Sequence, residues 1–203
     1  MRVLLVHGLG RTPLSLFGLA RSLRSGGHST RFFTYSPTFE GLDRIVRRLK
    51  CLLQELSRID EPIALIGHSL GGLLLRMALP AVPNLSVHHL IMLGTPNRPP
   101  RLARLAWRWL PFRLLTGTCG RFLATPDAFA QLRDPGVPTT VIAGTAGPRG
   151  HFSPFGDDPN DGVVAVSETQ LDPLDNPMQF PVWHTLMMNA TSVQKRILSL
   201  LHN

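Results

Sequence analysis

The sequence predicts an α/β fold with a mostly parallel central sheet of about six strands and helices on both faces. Short runs rich in Val, Leu and Ile, such as residues 2–6 and 62–66, are typical of buried parallel strands. Between such runs lie segments with apolar residues at helical spacing, and the clearest covers residues 42–59. Because strands and helices alternate, we expect the functional site at the carboxyl ends of the strands.

The remaining elements follow the same alternation. Thr12-Pro13 supplies an N-cap and a first-turn proline for a helix that Gly26-Gly27 ends. A helical run at 70–79 is terminated by Pro80. We predict further strands at 30–35, 88–93 and 139–143, a last short strand ending near Val182-Trp183, and a final helix at 191–201.

Length and composition favour a single domain over residues 1–203. Of the 203 residues, 43% are hydrophobic, which is enough for one full core and too little for two ordinary domains. The first apolar run, Val3-Leu4-Leu5-Val6, is too short for a signal peptide or a transmembrane span. We therefore expect a cytoplasmic protein, unless a leader preceded this sequence, with peripheral membrane contact as an additional expectation.

The formal charge of +8 raises the question of an anionic partner. Of the 21 basic residues only Lys50 and Lys195 are lysines, and codon preference explains this skew as well as a ligand does. The strand-like segments carry no basic stripe interleaved with aromatic residues, so we expect no nucleic-acid partner. With Cys51 and Cys119 alone, the sequence predicts neither a disulfide framework nor a cysteine-rich metal site.

The run Gly67-His68-Ser69-Leu70-Gly71-Gly72 joins a predicted strand directly to a predicted helix. A serine hydroxyl becomes an effective nucleophile when its oxygen is exposed and a base takes its proton. A tight turn exposes the oxygen, and glycines on both sides remove side chains that would collide across the turn. We therefore predict Ser69 as the nucleophile and interpret His68 as a packing residue; the alternative is a plain glycine-rich turn.

A second glycine-rich turn, His7-Gly8-Leu9-Gly10, follows the first predicted strand. A turn at this place can direct a backbone N–H at the same substrate oxygen as the first turn of the helix after Ser69. The N–H groups of Leu9 and Leu70 are therefore the predicted oxyanion hole. The alternative is a strand-to-helix turn that binds nothing.

Three segments together resemble bacterial lipases and esterases of the α/β-hydrolase superfamily: Val6 to Gly10, Gly67 to Gly72, and Leu93-Gly94-Thr95-Pro96-Asn97. The resemblance implies a minimal α/β-hydrolase fold. Asp161-Gly162-Val163-Val164 is similar to the acid loop of that family, and His184 to its base, so that the family order of serine, aspartate and histidine is kept. The alternatives nearby are the acids Asp157, Asp158, Asp172 and Asp175 and the bases His151 and His202.

The resemblance implies a catalytic triad of Ser69, Asp161 and His184 that works through an acyl-enzyme. This chemistry requires no metal and no organic cofactor. The expected activity is carboxylic ester hydrolysis on a small-molecule or lipid ester with an apolar acyl group, as in lipid metabolism. Thioesterases, amidases and phospholipases of the same fold use the same triad, and a non-catalytic binding protein with this fold is the alternative from another class.

About forty residues separate the strand ending at Gly94 from the one starting near Thr139, more than an ordinary connection needs. Lipases commonly carry a lid at this position, so residues 97–135 are a predicted lid or cap insertion. We expect its Leu105, Trp107 and Trp109 to contact the substrate. One helical face is apolar while another carries arginines, which favours either a membrane-contacting lid or a fixed cap with solvated charges.

Overall fold

The computed structural model describes residues 1–202, and within them six strands form one sheet in which all neighbouring strands are parallel. This confirms the predicted α/β fold. The order across the sheet is β2-β1-β3-β4-β5-β6. The strands are β1 (Arg2–Val6), β2 (Ser29–Phe33), β3 (Ile63–His68), β4 (Val87–Leu93), β5 (Thr139–Gly144) and β6 (Met178–Phe180).

Helices fill the connections between the strands. None of the helices in residues 1–202 combines the length and the apolar character that crossing a membrane requires. They are α1 (Phe17–Ser25), α2 (Leu42–Leu56), α3 (Leu70–Ala78), α4 (Arg101–Ala106), α5 (Leu110–Ala124), α6 (Pro126–Ala130), α7 (Val166–Thr169) and α8 (Thr191–His202), with single 3₁₀ turns at Pro13–Leu16, Leu79–Ala81 and Met187–Asn189.

The core has two parts, one on each face of the sheet. Leu4 and Val6 of β1 belong to the part that α2 and α3 cover, whereas Val3 and Leu5 belong to the part that α1 and α8 cover. Successive side chains of a strand point to opposite faces, so a strand covered on both sides must be apolar throughout. This is why the strands appear in the sequence as uninterrupted apolar runs.

The connection between β4 and β5 differs from its predicted form. The helical spacing of apolar residues from Leu102 to Leu110 predicts a single amphipathic helix, but α4 ends at Ala106 and α5 begins at Leu110. Pro111 occupies the first turn of α5. Because proline has no N–H and its ring clashes with the preceding turn, a continuous helix through this position is disfavoured.

The strand order reverses between β1 and β3. The chain leaves β1 toward β2 on one side and then crosses back to β3 on the other side of β1. At the carboxyl ends, Val6 of β1 is in register with Gly67 of β3. The loops that follow these two strands therefore diverge from a shared crevice, which is where open parallel sheets bind ligands.

Candidate active site

Ser69 lies at the tip of the turn between β3 and α3. Its backbone angles are φ 53° and ψ −123°, and among residues 1–202 it is the one non-glycine residue with a positive φ. Its N–H donates to the carbonyl of Leu93 in β4 at 2.8 Å, which holds the turn against the sheet. A strained backbone persists where the surrounding structure imposes it, and such residues concentrate at functional sites.

The glycines of this turn are required by space. A Cβ on Gly67 would collide with the backbone of Gly72, and a Cβ on Gly71 would collide with the carbonyl groups of Val6 and His7. The second contact places the start of α3 directly against the end of β1. The Gly-x-Ser-x-Gly pattern thus lets a strand, a turn and a helix approach one another more closely than any larger residue would permit.

The turn after β1 lies beside Ser69. A Cβ on Gly8 would be 3.1 Å from the Cβ of Ser69, so the backbone leading to Leu9 runs past the serine. Leu9 lines the same cavity as Ser69. Leu70 is the first residue of α3, where N–H groups have no acceptor within the helix. Both predicted oxyanion donors therefore lie on backbone segments next to Ser69.

His7 and Tyr35 support this turn from behind. Their rings stack with centroids 4.3 Å apart, and the Tyr35 hydroxyl donates to the His7 carbonyl at 2.8 Å. Burial lowers the pKa of His7, so its ring is neutral at pH 7. Sequence reasoning did not find Tyr35, because a tyrosine just beyond an edge strand carries no signal of the partner that it meets.

Asp161 and His184 form a hydrogen-bonded pair, with 2.6 Å between Asp161 Oδ2 and His184 Nδ1. The pair is also tied through the backbone, since the His184 N–H donates to the Asp161 carbonyl at 2.9 Å. The other carboxylate oxygen accepts the N–H groups of Val163 and Val164 at 2.9 and 2.7 Å. Both side chains are buried, with Asp161 1% and His184 6% exposed. The Asp-Gly-Val-Val turn therefore aims one carboxylate oxygen at the imidazole.

Gly94 forms the floor beneath this pair. It follows β4 with a φ of +55°, and a Cβ there would lie 3.0 Å from His184 Nδ1 and 3.1 Å from Asp161 Oδ2. A side chain at this position would press on the hydrogen bond itself. The segment Leu93-Gly94-Thr95 thus has a structural role in the site that the sequence alone did not reveal.

His68 packs between the turn that follows β1 and the loop that carries His184. Its Nε2 is 3.0 Å from the carbonyl oxygen of His184, and the two rings lie with centroids 4.7 Å apart. Burial, followed by the charge of His184, lowers the pKa of His68 well below its usual value. A neutral ring donates through Nε2 to that carbonyl, so His68 fixes the backbone of the candidate base.

The remaining predicted alternatives lie elsewhere. Asp157, Asp172 and Asp175 are exposed, and Asp158 pairs with Arg101. His151 is exposed beside Phe152, and the ring of His202 faces His28. Within residues 1–202, Asp161 is the candidate acid that is hydrogen-bonded to a candidate base.

Ser69 and His184 open into one cavity of about 260 Å³. In the described part of the chain, residues 1–202, their side chains are not hydrogen-bonded to each other, and they share its wall. Catalytic hydrogen bonds are often long in the absence of substrate and tighten when it binds. Most of the lining residues are apolar, and most of these apolar residues come from the connection between β4 and β5: Pro96, Pro100, Leu102, Ala103, Ala106, Phe112 and Leu123.

The family model described as alpha/beta hydrolase family matches residues 3–188. The chain belongs to the α/β-hydrolase family. A search of curated proteins gives no match.

Solved structures of a phospholipase, a lipase and a thioesterase are similar to this chain. Phospholipase PlaB from Legionella pneumophila has a TM-score of 0.67 at 22% identity, over 84% of this chain and 46% of that one. Lipase BlEst2 from Bacillus licheniformis, in mature form, has a TM-score of 0.68 at 22% identity, over 98% and 91%. The thioesterase RedJ from Streptomyces coelicolor has a TM-score of 0.61 at 16% identity, over 98% and 84%. The chain thus spans less than half of the PlaB structure, and at these identities the likeness shows the fold.

The residues predicted to contact substrate from the insertion lie outside the cavity that Ser69 and His184 line. Among residues 1–202, its wall does not include Leu105, Trp107 or Trp109. Leu105 and Trp109 are 46% and 73% exposed, and the ring of Trp107 meets the guanidinium of Arg113 at 5.5 Å. Because α4 ends at Ala106, the tryptophans do not continue the helical face that lines the cavity.

A buried carboxylate ties the start of the insertion to the acid loop. Glu168 accepts the N–H of Ala165 at 3.0 Å and the N–H of Arg101 at 2.9 Å, and it forms an ion pair with the Arg101 guanidinium. The same guanidinium contacts Asp158. Burial raises the pKa of Glu168 against the opposing effect of these partners. The first helix of the insertion and the loop carrying Asp161 are therefore joined.

Arg76 of α3 connects both ends of the insertion. Its guanidinium donates to the carbonyls of Leu132 and Arg133 at 3.3 and 2.8 Å, and to the side-chain oxygen of Asn97 at 3.1 Å. Burial lowers the pKa of Arg76, but an arginine keeps its charge at neutral pH. The helix that begins beside Ser69 thus holds the insertion at its base.

Proposed function

We propose that the protein is a serine hydrolase that cleaves carboxylic esters of apolar acyl groups, as a lipase or carboxylesterase does. The 2.6 Å contact between Asp161 Oδ2 and His184 Nδ1, together with the cavity that His184 and Ser69 both line, carries the proposal. A carboxylate on Nδ1 fixes the tautomer in which Nε2 is the free proton acceptor. Because His184 and Ser69 line the same cavity, we assign Nε2 the role of general base.

In the proposed mechanism, Nε2 of His184 takes the hydroxyl proton as Ser69 Oγ bonds to the acyl carbon. The carbonyl oxygen becomes an oxyanion that accepts the N–H groups of Leu9 and Leu70. Collapse of this intermediate breaks the ester C–O bond, and His184 returns the proton to the departing alcohol. Water then repeats the sequence on the acyl-enzyme, releasing the carboxylic acid and restoring Ser69.

The wall of the cavity supports the preference for apolar acyl groups. Leu102, Ala103, Ala106 and Phe112 from the insertion face the space next to Ser69. Burying an acyl chain against such a wall contributes about 0.8 kcal/mol per CH₂ group. We therefore expect kcat/KM to rise with acyl length until the space of about 260 Å³ is filled.

Labelling with a fluorophosphonate probe tests the nucleophile. We expect the wild-type protein to be labelled and Ser69→Ala to be unlabelled. Ser199→Ala is the matched control, because Ser199 is an exposed residue of α8. Equal labelling of Ser69→Ala and the wild type would overturn the assignment, and absence of labelling in the wild type would favour a non-catalytic binding protein.

A thioesterase, amidase or phospholipase of this fold is the alternative activity. A substrate panel with one acyl group presented as an oxygen ester, a thioester and an amide separates the first two, and a phospholipid tests the third. We expect the oxygen ester to give the highest kcat/KM. A thioester preferred more than tenfold over it would replace the esterase proposal with a thioesterase.

We also propose that residues 97–135 form a lid or cap that contacts anionic membranes. Trp109, Leu110 and Leu114 are 73%, 60% and 68% exposed, and they are accompanied by the exposed Arg104 and Arg108. Exposed aromatic and aliphatic groups beside arginines match the interface of an anionic bilayer.

Sedimentation with vesicles tests this contact. We expect more protein to bind phosphatidylglycerol vesicles than phosphatidylcholine vesicles, and the double variant Arg104→Gln/Arg108→Gln to lose the difference. The control is Arg21→Gln/Arg24→Gln, which removes two exposed charges from α1. Equal and negligible binding to both vesicles would count against the proposal.

A further inference from the structure

Arg11 brings a positive charge to a cavity whose wall is otherwise mostly apolar. Among the residues of the described chain, 1–202, that line this cavity, Arg11 is the one with a permanent charge. Its charge also acts on the site, because it adds to burial and to the charge of His184 in lowering the pKa of His68. The proposed ester chemistry gives this cation no role.

The surroundings of Arg11 leave its charge unneutralised. It follows Gly10, whose φ is +63°, and its own N–H donates to the Gly8 carbonyl at 3.3 Å. One of the five N–H donors of its guanidinium reaches the carbonyl of Thr185 at 3.2 Å. Within residues 1–202 no carboxylate lies within 4.0 Å of it. A guanidinium with unused N–H donors in a cavity wall is suited to bind an anionic oxygen of a ligand.

The wall of this cavity offers an ester both apolar side chains and one cationic side chain. Most of the apolar wall comes from the connection after β4, whereas Arg11 and Thr185 come from the loops after β1 and β6. Because the apolar wall suits the acyl chain, the guanidinium of Arg11 is available to the alcohol part of the ester. Since Arg11 lies two residues beyond Leu9, a group bound by it would be close to the reacting carbonyl.

We propose that Arg11 is a specificity-determining residue that binds a phosphate or carboxylate on the alcohol part of the substrate. This inference rests on the proposed ester hydrolysis, which it narrows to anionic acyl esters. The guanidinium would donate charge-assisted hydrogen bonds to two oxygens of that group while its bond to Thr185 is kept. Because Arg11 is half-buried, the interaction weakens as salt is added but does not vanish.

The test compares three esters with one acyl chain: 1-acylglycerol, which is neutral, 1-acylglycerol 3-phosphate, and 3-acylglycerate, which carries a carboxylate. The measured quantity is kcat/KM for each anionic ester divided by kcat/KM for the neutral ester. A charge-assisted hydrogen bond contributes about tenfold in such a ratio. We expect Arg11→Gln to lower the ratio about tenfold, and Arg11→Lys to keep most of it.

A purely structural role of Arg11 gives a different result. If Arg11 mattered only by holding the Thr185 carbonyl beside His184, its loss would lower kcat for all three esters equally and leave the ratio unchanged. That outcome would overturn the inference. Arg24→Gln is the control for net charge, because Arg24 is exposed in the last turn of α1, and we expect it to leave the ratio unchanged.

A binding measurement separates this inference from the proposed function. Displacement of an apolar fluorescent dye is followed with dodecyl phosphate, dodecanol and inorganic phosphate, none of which is a carboxylic ester. We expect dodecyl phosphate to bind about tenfold more tightly than dodecanol in the wild type and equally in Arg11→Gln. This result would support the anion site even if no ester were hydrolysed. Two results would overturn the inference. One is equal binding of dodecyl phosphate and dodecanol to the wild type, and the other is displacement of the dye by inorganic phosphate, which has no alkyl chain, at the same concentration.

Discussion

Replacing Gly94 by alanine introduces a methyl group directly beneath the Asp161–His184 hydrogen bond. The new Cβ would be 3.0 Å from His184 Nδ1 and 3.1 Å from both Asp161 Oδ2 and His184 Cε1. These separations are below ordinary van der Waals contact. Since Asp161 is held by the N–H groups of Val163 and Val164, we expect the imidazole to move by a few tenths of an ångström.

Two effects of this substitution have separate magnitudes. The φ of +55° costs an alanine about 1–2 kcal/mol of stability, and overpacking adds about 1–3 kcal/mol. A displacement of about 1 Å in a catalytic group lowers the rate about 100-fold. For a smaller shift of the imidazole we expect kcat to fall about tenfold, with little change in KM because the apolar residues of the cavity wall are untouched.

The assay is hydrolysis of a chromogenic butyrate ester together with thermal unfolding. Gly27→Ala is the matched control, because Gly27 has a φ of +83° and no atom within 4 Å of its added Cβ. It carries the backbone penalty without the steric contact, so we expect a lower Tm and an unchanged kcat. If Gly94→Ala retained the kcat of Gly27→Ala, the assignment of Asp161 and His184 as acid and base would be refuted.

Three further predictions concern the acid, the packing histidine and the base of the insertion. Asp161→Asn should lower kcat by roughly 10⁴, because an amide favours the wrong imidazole tautomer. Asp157→Asn, at an exposed aspartate, is its control in the same ester assay. Equal losses of kcat in the two variants would contradict the role of Asp161. Because the pKa of His68 is lowered in the native protein, the unfolded chain binds a proton there that the native protein does not. The contribution of His68 to the free energy of unfolding is therefore complete above about pH 6.5 and decreases as pH falls toward the pKa of the folded state. Urea unfolding at pH 7.5 and 5.0 should therefore show a smaller difference in His68→Asn than in the wild type, and an identical difference would disprove this linkage. Arg76→Met should leave the carbonyls of Leu132 and Arg133 unpaired and so destabilise the protein by about 2–4 kcal/mol. It should also speed limited proteolysis within residues 97–135. The control Arg121→Met, at an exposed site in α5, should change neither the stability nor the rate of proteolysis.

Features that depend on residues close together in the chain were predictable from the sequence. The buried strands were found because a strand covered on both faces must be apolar, and α2 was found because its apolar residues recur at helical spacing. The nucleophile turn was predictable because the backbone angles of Ser69 and the close approach at Gly67 and Gly71 require particular residue types at fixed spacing. The course of the insertion was less predictable, since Pro111 interrupts a run of apolar residues at helical spacing.

Contacts between distant segments could not be read from the sequence. The stacking of Tyr35 on His7, the floor that Gly94 provides, and the ties of Arg76 to the insertion join residues whose separation along the chain sets no distance in space. Their partners are chosen by the order of the strands and by side-chain packing.

The strand–turn–helix setting of Ser69 and the order of the three candidate catalytic residues follow from the sequence. The tertiary structure brings Asp161, rather than its neighbouring aspartates, to His184, and places α4, rather than the two tryptophans, in the cavity wall. It also decided that Arg11 stands in that cavity without a carboxylate partner among residues 1–202. The physical reason is that local backbone preferences are written in neighbouring residues, whereas burial, charge pairing and cavity shape arise only when the sheet brings distant loops together.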